Sequence, residues 1–322
     1  MKHVLVTSRS FGRGTLDLES RAGEMGFQIT RGPSHHPLEE MLPGLARAEA
    51  WIAGTGPVTA QHMEAAPHLS VIARYGVGVD AVDLETAQRR GIIVTNTPGA
   101  NSAAVADLAV ALMLNGLRHV THGDREVRAG RWDALPGREL GSLTVGIVGF
   151  GRIGQGVSRR LSGFGATVLA CDPYVSPDIF SEAGVEATSL NSLCERSDVI
   201  SLHSPGGEVI VTERRLALMG LGVVLVNTAR ADLVDEEAMA HAIRAGRVGA
   251  FATDVLSGDT SGTASPLLAQ ELSPHVILTP HLGAQTLEAV DTMGMMALEN
   301  VAAVLGGTAA HNLVTPPSKE PA

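Results

Sequence analysis

The sequence predicts an α/β fold of two doubly wound parallel-sheet domains, one inserted in the other. Three observations carry that reading. Short Val/Ile/Leu/Ala runs alternate with helical patterns in two separate series, a long apolar helix divides the series, and a last helix follows the second. The composition agrees. Of 322 residues 44% are apolar and only 3% aromatic, and 37 glycines supply the turns that so many strand-to-helix connections need.

The first series holds five strand candidates: HVLVT (3–7), FQIT (27–30), AWIAG (50–54), SVIARYG (70–76) and IIVTN (92–96). Helical patterns such as LEEMLPGLARA and DLETAQRRG lie between them. Near-continuous apolar runs of this kind suit strands buried on both faces, so the sheet is expected to be mainly parallel and flavodoxin-like. NTPGANS (96–102) breaks the pattern with a turn at Pro98-Gly99, and a helix from about 101 to 118 follows. Its apolar stretch, 103–117, contains Asp107 and falls short of the roughly 20 residues that a membrane span needs. Six strand candidates make the second series: 143–151, 167–172, 198–203, 222–228, 249–255 and 275–280. The helix after His281 is expected to return to the first domain, and the Pro-rich end to fray. The expected division is 1–99 with 285–322, and 100–284.

A formal charge of −10 argues against nucleic acid or an anionic membrane as a partner. Cys171 and Cys194 fall in apolar surroundings and read as structural thiols. The first residues, too short for a signal peptide, read as a strand, and a cytoplasmic protein is expected. His35-His36 has no further ligand at useful spacing, so it reads as a loop pair and no metal is expected.

The stretch GIVGFGRIGQGVSRRLSGFGATVLACDP places Gly149, Gly151 and Gly154 between an apolar strand and an amphipathic helix. Asp172 ends the next strand, 18 residues past Gly154. That context makes the pattern a Rossmann dinucleotide fingerprint. Gly149 permits the tight turn, Gly151 the approach of a pyrophosphate, and Gly154 close helix–strand packing. The amides of Arg152 and Ile153 would hold phosphates at the helix start. Asp172 would accept hydrogen bonds from the adenosine ribose, favouring NAD over NADP.

Five stretches then stand in a telling order: RYGVGVDAVDLETAQRRGIIVTNTPGANSAAVADLA, the glycine motif, LVNTARADLVDEEAM, DVLSGDT and LTPHLGAQTLEA. With them the chain resembles the D-isomer-specific 2-hydroxyacid dehydrogenases, most closely the D-3-phosphoglycerate dehydrogenase branch, in a short form without a C-terminal regulatory domain. The resemblance implies hydride transfer between NAD(H) and a D-2-hydroxy acid or 2-oxo acid, in a cleft between the two domains. It implies a homodimer with residues 101–140 contributing, and a small carboxylate, possibly phosphorylated as in 3-phosphoglycerate, as substrate. Carried over by residue, Arg230 would grip the substrate carboxylate and His281 would be the general acid or base. The amides of Val77 and Gly78 would hold the carboxylate, and Arg74 would meet a second anionic group. Asp254 would contact the nicotinamide carboxamide, which leaves Asp259 to serve His281. His203, Pro205, Thr228 and Ala229 would line the cofactor site.

Several positions depart from the family. The partner of the histidine is usually a glutamate, where this chain has Asp259. The segment after His203 reads HSPGG and its loop is shorter than usual, and ARAD puts Asp232 close to Arg230. A phosphonate or specialised-metabolism hydroxy acid is an alternative substrate. A non-catalytic, NAD-sensing corepressor-like protein is the alternative class, against which stands the lack of a long disordered tail or basic region.

Overall fold

The computed structural model describes residues 1–258 and 265–314. The chain divides into two compact units, Met1–Asn101 together with Ala284 onward, and Ser102–Gly283. Both are built on parallel sheets.

In the first unit the strands are β1 (Lys2–Val6), β2 (Phe27–Arg31), β3 (Ala50–Ala53), β4 (Val71–Arg74) and β5 (Ile93–Thr95). Their order is β2-β1-β3-β4-β5, all parallel, which is the flavodoxin-like winding. Every residue of β3 and β4 is buried, which is why those strands read as unbroken apolar runs. The helix Leu287–Leu305 belongs to this unit and packs on β4. Thr286 caps it by accepting from Ala289 N–H, and Ala289, Val290, Met293, Ala297, Leu298 and Val301 recur at helical spacing to form its buried face. Asp291 on that helix accepts from Thr15 N–H (2.8 Å) and Leu16 N–H (3.1 Å), holding the loop after β1.

The loop pair of histidines is more than a surface turn. His36 is buried with its ring 5.0 Å from that of Trp51, its Nδ1 bonds the carbonyl of Pro57 at 3.0 Å, and its backbone is left-handed at φ 56°. Burial is the largest influence on it and lowers its pKa to about 4.

The second unit contains β6 (Thr144–Val148), β7 (Thr167–Cys171), β8 (Glu186–Ala187), β9 (Val199–Leu202), β10 (Val223–Asn227), β11 (Val248–Thr253) and β12 (Val276–Leu278). The order is β12-β11-β10-β9-β6-β7-β8, again parallel throughout. Winding therefore runs outward both ways from β6, the Rossmann arrangement. The sequence reading finds six of these strands. β8 is the seventh, two exposed residues paired with Leu169 and Ala170, too short to leave an apolar signal. The helix Ser102–Arg118 packs against β10, β11 and the helix Arg152–Ser162. Small residues, Ala104, Ala106, Ala109 and Gly116, let it approach closely.

No single helix among the described residues is long and apolar enough to cross a membrane, although the bent pair Ser102–Arg118 and Val120–Arg128 passes by length and composition. The first of that pair is a core helix. Cys194 is buried, and burial raises its thiol to about 11 and also raises that of Cys171, as suits packing rather than reactivity.

Candidate active site

An open parallel sheet collects its loops at the carboxyl ends of its strands, and a ligand fits where the winding reverses. In the second unit the cofactor and catalytic candidates among the described residues lie along that edge. Between β6 and the helix Arg152–Ser162, Gly149 takes φ 91°. A Cβ on Gly154 would stand 2.2 Å from the carbonyl oxygen of Gly149, so only glycine allows the helix to start so near the strand. Gly151 faces open space and caps the helix without any side chain, which leaves the first amides, including those of Arg152 and Ile153, to an anion. Asp172, just past β7, accepts from Phe150 N–H (2.8 Å) through one oxygen and from Tyr174 N–H (2.9 Å) through the other. Each oxygen keeps a lone pair for a further donor.

On the other side of the reversal stand two buried polar atoms that meet no partner, His203 Nδ1 after β9 and Thr228 Oγ1 after β10. Both atoms lie along the same strand edge as the dinucleotide turn and could bond a ligand seated there. Burial alone lowers His203 to about 4, so the ring is neutral at pH 7 and its Nε2 meets Ser201 Oγ at 2.9 Å. Pro205 is exposed in the loop that follows. The uncapped helix start, the free lone pairs of Asp172 and these two orphaned atoms are what a dinucleotide would use. Among the described residues no group of three His, Cys, Asp or Glu is placed to hold a metal ion.

Arg230 follows β10 and Ala229. Its turn is fixed by Asn227, whose Nδ2 donates to Arg230 O (2.7 Å) and whose Oδ1 accepts from Ala229 N–H (3.0 Å). Arg230 Nη1 donates to Ala229 O at 2.9 Å. His281 follows β12 with an exposed side chain and a left-handed backbone, φ 54°. Asp254, after β11, is buried and holds that turn from within. Its Oδ1 accepts from Thr279 Oγ1 (2.6 Å) and Leu282 N–H (2.7 Å), and its Oδ2 from Gly283 N–H (2.7 Å). Three bonds thus bracket His281, and one lone pair of Oδ2 is left for a carboxamide. Asp259 lies outside the described residues. Glu271, another acid near in sequence, pairs with Arg244 at 2.9 Å.

Glu236 escapes the sequence reading. It is buried, accepting from Ser257 N–H (2.8 Å) and Ser265 Oγ (2.6 Å), the two ends of the segment that contains Asp259. The signal was available, because helical phase places it with buried Met239, Ala240 and Ile243 while Glu237 faces out.

In the first unit the stretch after β4 behaves differently. Arg74 is buried and its Nη1 donates to the carbonyls of Ala53 (3.1 Å) and Tyr75 (2.8 Å), so part of its guanidinium serves the fold. Val77 and Gly78 sit in the loop beyond, Val77 exposed, and neither amide meets an acceptor among the described residues. Thr97 Oγ1 accepts from Gly76 N–H (3.0 Å), and Asn96 Nδ2 donates to Val77 O (2.8 Å), fixing the loop with its donors free.

Comparison with known proteins identifies the family. Residues 110–283 match the family model described as D-isomer specific 2-hydroxyacid dehydrogenase, NAD binding domain. The D-3-phosphoglycerate dehydrogenase of Mycobacterium leprae is 41% identical over 83% of this chain and 51% of its own length. The chain thus spans about half the length of the curated phosphoglycerate dehydrogenases it matches. The hydroxypyruvate reductase of Thermotoga maritima is 40% identical over 77% of this chain and 82% of its own. The TT0316 protein of Thermus thermophilus, a solved structure, superposes with a TM-score of 0.86 at 36% identity, covering 97% of this chain and 100% of that one. The chain belongs to the D-isomer specific 2-hydroxyacid dehydrogenases and carries their NAD-binding domain.

Proposed function

We propose that the protein is an NAD-dependent dehydrogenase that interconverts a small D-2-hydroxy acid and its 2-oxo acid. The observation that carries this reading is the shared strand edge of the second unit, where an uncapped dinucleotide turn, Arg230 and His281 follow the alternate parallel strands β6, β10 and β12. The first amides of helix Arg152–Ser162 would hold the pyrophosphate, and Asp172 the ribose hydroxyls in preference to a 2′-phosphate. His203 and Thr228 would close on the remaining polar groups, beside Pro205 and Ala229. Bound NADH supplies the hydride.

Arg230 would grip the substrate carboxylate through its planar fork, and the amides of Val77 and Gly78 are assigned as carboxylate donors of the first unit. His281 in its charged form would give a proton to the carbonyl oxygen during reduction and take it back during oxidation. Asp259 is assigned as the acid that serves it, on a segment whose ends Glu236 holds. Asp254 would set the His281 turn and offer its last lone pair to the carboxamide. Arg74, whose Nη1 is bonded to the carbonyls of Ala53 and Tyr75, stays the candidate for a second anionic group on the substrate. A cytoplasmic homodimer is proposed as well. Its support is the segment from Val120 to Leu135, whose helix buries nothing and whose Trp132 is 81% exposed.

The test is a panel of 2-oxo acids with NADH and NADPH, run beside oxidation of phosphorylated hydroxy acids, with the mass taken by light scattering. Turnover of a 2-oxo acid with NADH well above NADPH, in a dimer, is expected. No turnover across the panel, equal use of NADPH, or a monomeric mass would each remove the corresponding part.

A further inference from the structure

The loop 203–207 leaves the sheet between the dinucleotide turn and the turn of Arg230. At its root a Cβ on Gly149 would lie 2.7 Å from the carbonyl carbon of His203 and 2.8 Å from Ser204 N, so the two turns are in backbone contact. At its far end Asp232 Oδ2 accepts from Gly207 N–H at 2.7 Å. A Cβ on Gly206 would stand 2.7 and 2.8 Å from the two Asp232 oxygens and 3.2 Å from Arg230 Cγ. The loop reads His-Ser-Pro-Gly-Gly, and beyond His203 it has almost no side chain to bury. Two adjacent glycines open many alternative backbone states, so little besides that bond selects one.

We propose that Asp232 is a positioning residue whose carboxylate latches the 203–207 loop onto the turn that carries Arg230. One bond then fixes the seats of His203 and Pro205 and the stem of Arg230 together. The latch depends on hydrogen-bond acceptance rather than on charge. It rests on the reading that these groups bind NAD and the substrate carboxylate.

The experiment compares Asp232→Ala, which removes the acceptor, with Asp232→Asn, which keeps an acceptor oxygen and loses the charge. Hydrogen exchange over residues 204–208 is measured in the cofactor-free chain, followed by NADH Kd and the KM and kcat for the best 2-oxo acid. Asp232→Ala is expected to speed exchange about tenfold, the scale of one lost hydrogen bond. It should raise Kd and KM severalfold with a smaller change in kcat, and Asp232→Asn should stay near wild type in all of them. Unchanged exchange in Asp232→Ala, or an Asp232→Asn variant as impaired as the alanine, overturns the latch. Faster exchange with unaltered Kd and KM overturns its positioning role. A wild-type chain that binds no NADH sinks the functional reading instead, while the exchange rates still decide the latch.

Discussion

The two units solve one problem with different materials. Both are wound parallel sheets, and both anchor a loop at the carboxyl edge with an acidic side chain that accepts backbone N–H groups, Asp291 in the first unit and Asp254 in the second. What the two edges display differs. The second unit presents side chains, Arg230 and His281, whereas the loop after β4 in the first presents the amides of Val77 and Gly78, which meet no acceptor among the described residues. Side-chain chemistry can be removed by a single substitution. Backbone donors can only be misplaced, so mutation should separate the units cleanly.

The largest separation is expected at the side chains. His281→Ala should lower kcat/KM for 2-oxo acid reduction about 10³-fold, the usual worth of a general acid. Arg230→Lys should cost about 100-fold, because lysine keeps the charge and loses the two-pronged grip. Steady-state kinetics checks both, and a variant within a few-fold of wild type would take that residue out of the chemistry.

The anchors come next. Asp254→Ala strands two amides and a hydroxyl, and is expected to cost about 3 kcal/mol of stability together with most of the activity. Asp291→Ala strands comparable donors in the first unit and should cost about 2 kcal/mol while NADH affinity stays as in wild type. Urea melts and NADH titrations distinguish them. Equal loss of NADH affinity in both variants would mean that the anchors do not act unit by unit.

The last effect is shared rather than separating. His36 in the first unit and His203 in the second are both held near pKa 4 by burial. Each takes its proton more readily in the unfolded chain, at an ordinary value of about 6.5, so stability is complete above that range and falls as pH drops toward 4. At pH 5 the loss should reach about 2 kcal/mol for each. Urea melts at pH 7 and pH 5 measure it, and His203→Gln should recover part of the difference. A stability that does not change over that window would contradict the neutral, buried state of both rings.

Much of this was legible in the sequence because burial on both faces writes a parallel strand as an apolar run. AWIA and VIAR are read from that alone, whereas the two exposed residues of β8 write nothing. Candidate positions were legible where a distinctive side chain follows a strand, as with Arg230 and His281, whose assigned roles rest on the family resemblance. It was not legible where a common acid bonds backbone N–H groups far away in sequence. No spacing announces that Asp254 brackets residue 281 or that Asp232 reaches Gly207. At Arg74 the strand is buried and two neighbouring carbonyls accept from Nη1, contacts that no sequence pattern announces. His36 went unread because a left-handed, buried histidine in a loop looks like any polar turn residue.

The backbone of His281 has one more implication. Among the described residues all three non-glycine positions with positive φ are histidines, His36, His119 and His281. Such a conformation costs an ordinary side chain about 1 kcal/mol that glycine does not incur. The proposed acid therefore occupies a site where the most comfortable residue has no side chain at all. Any design or selection that rewards melting temperature alone will be drawn to that position and will erase the proton donor it finds there. At His119, which no part of the proposed chemistry uses, the same relaxation would leave turnover intact. Strain tolerated at one of these positions and expendable at another separates what the chain keeps for its work from what it has simply not discarded.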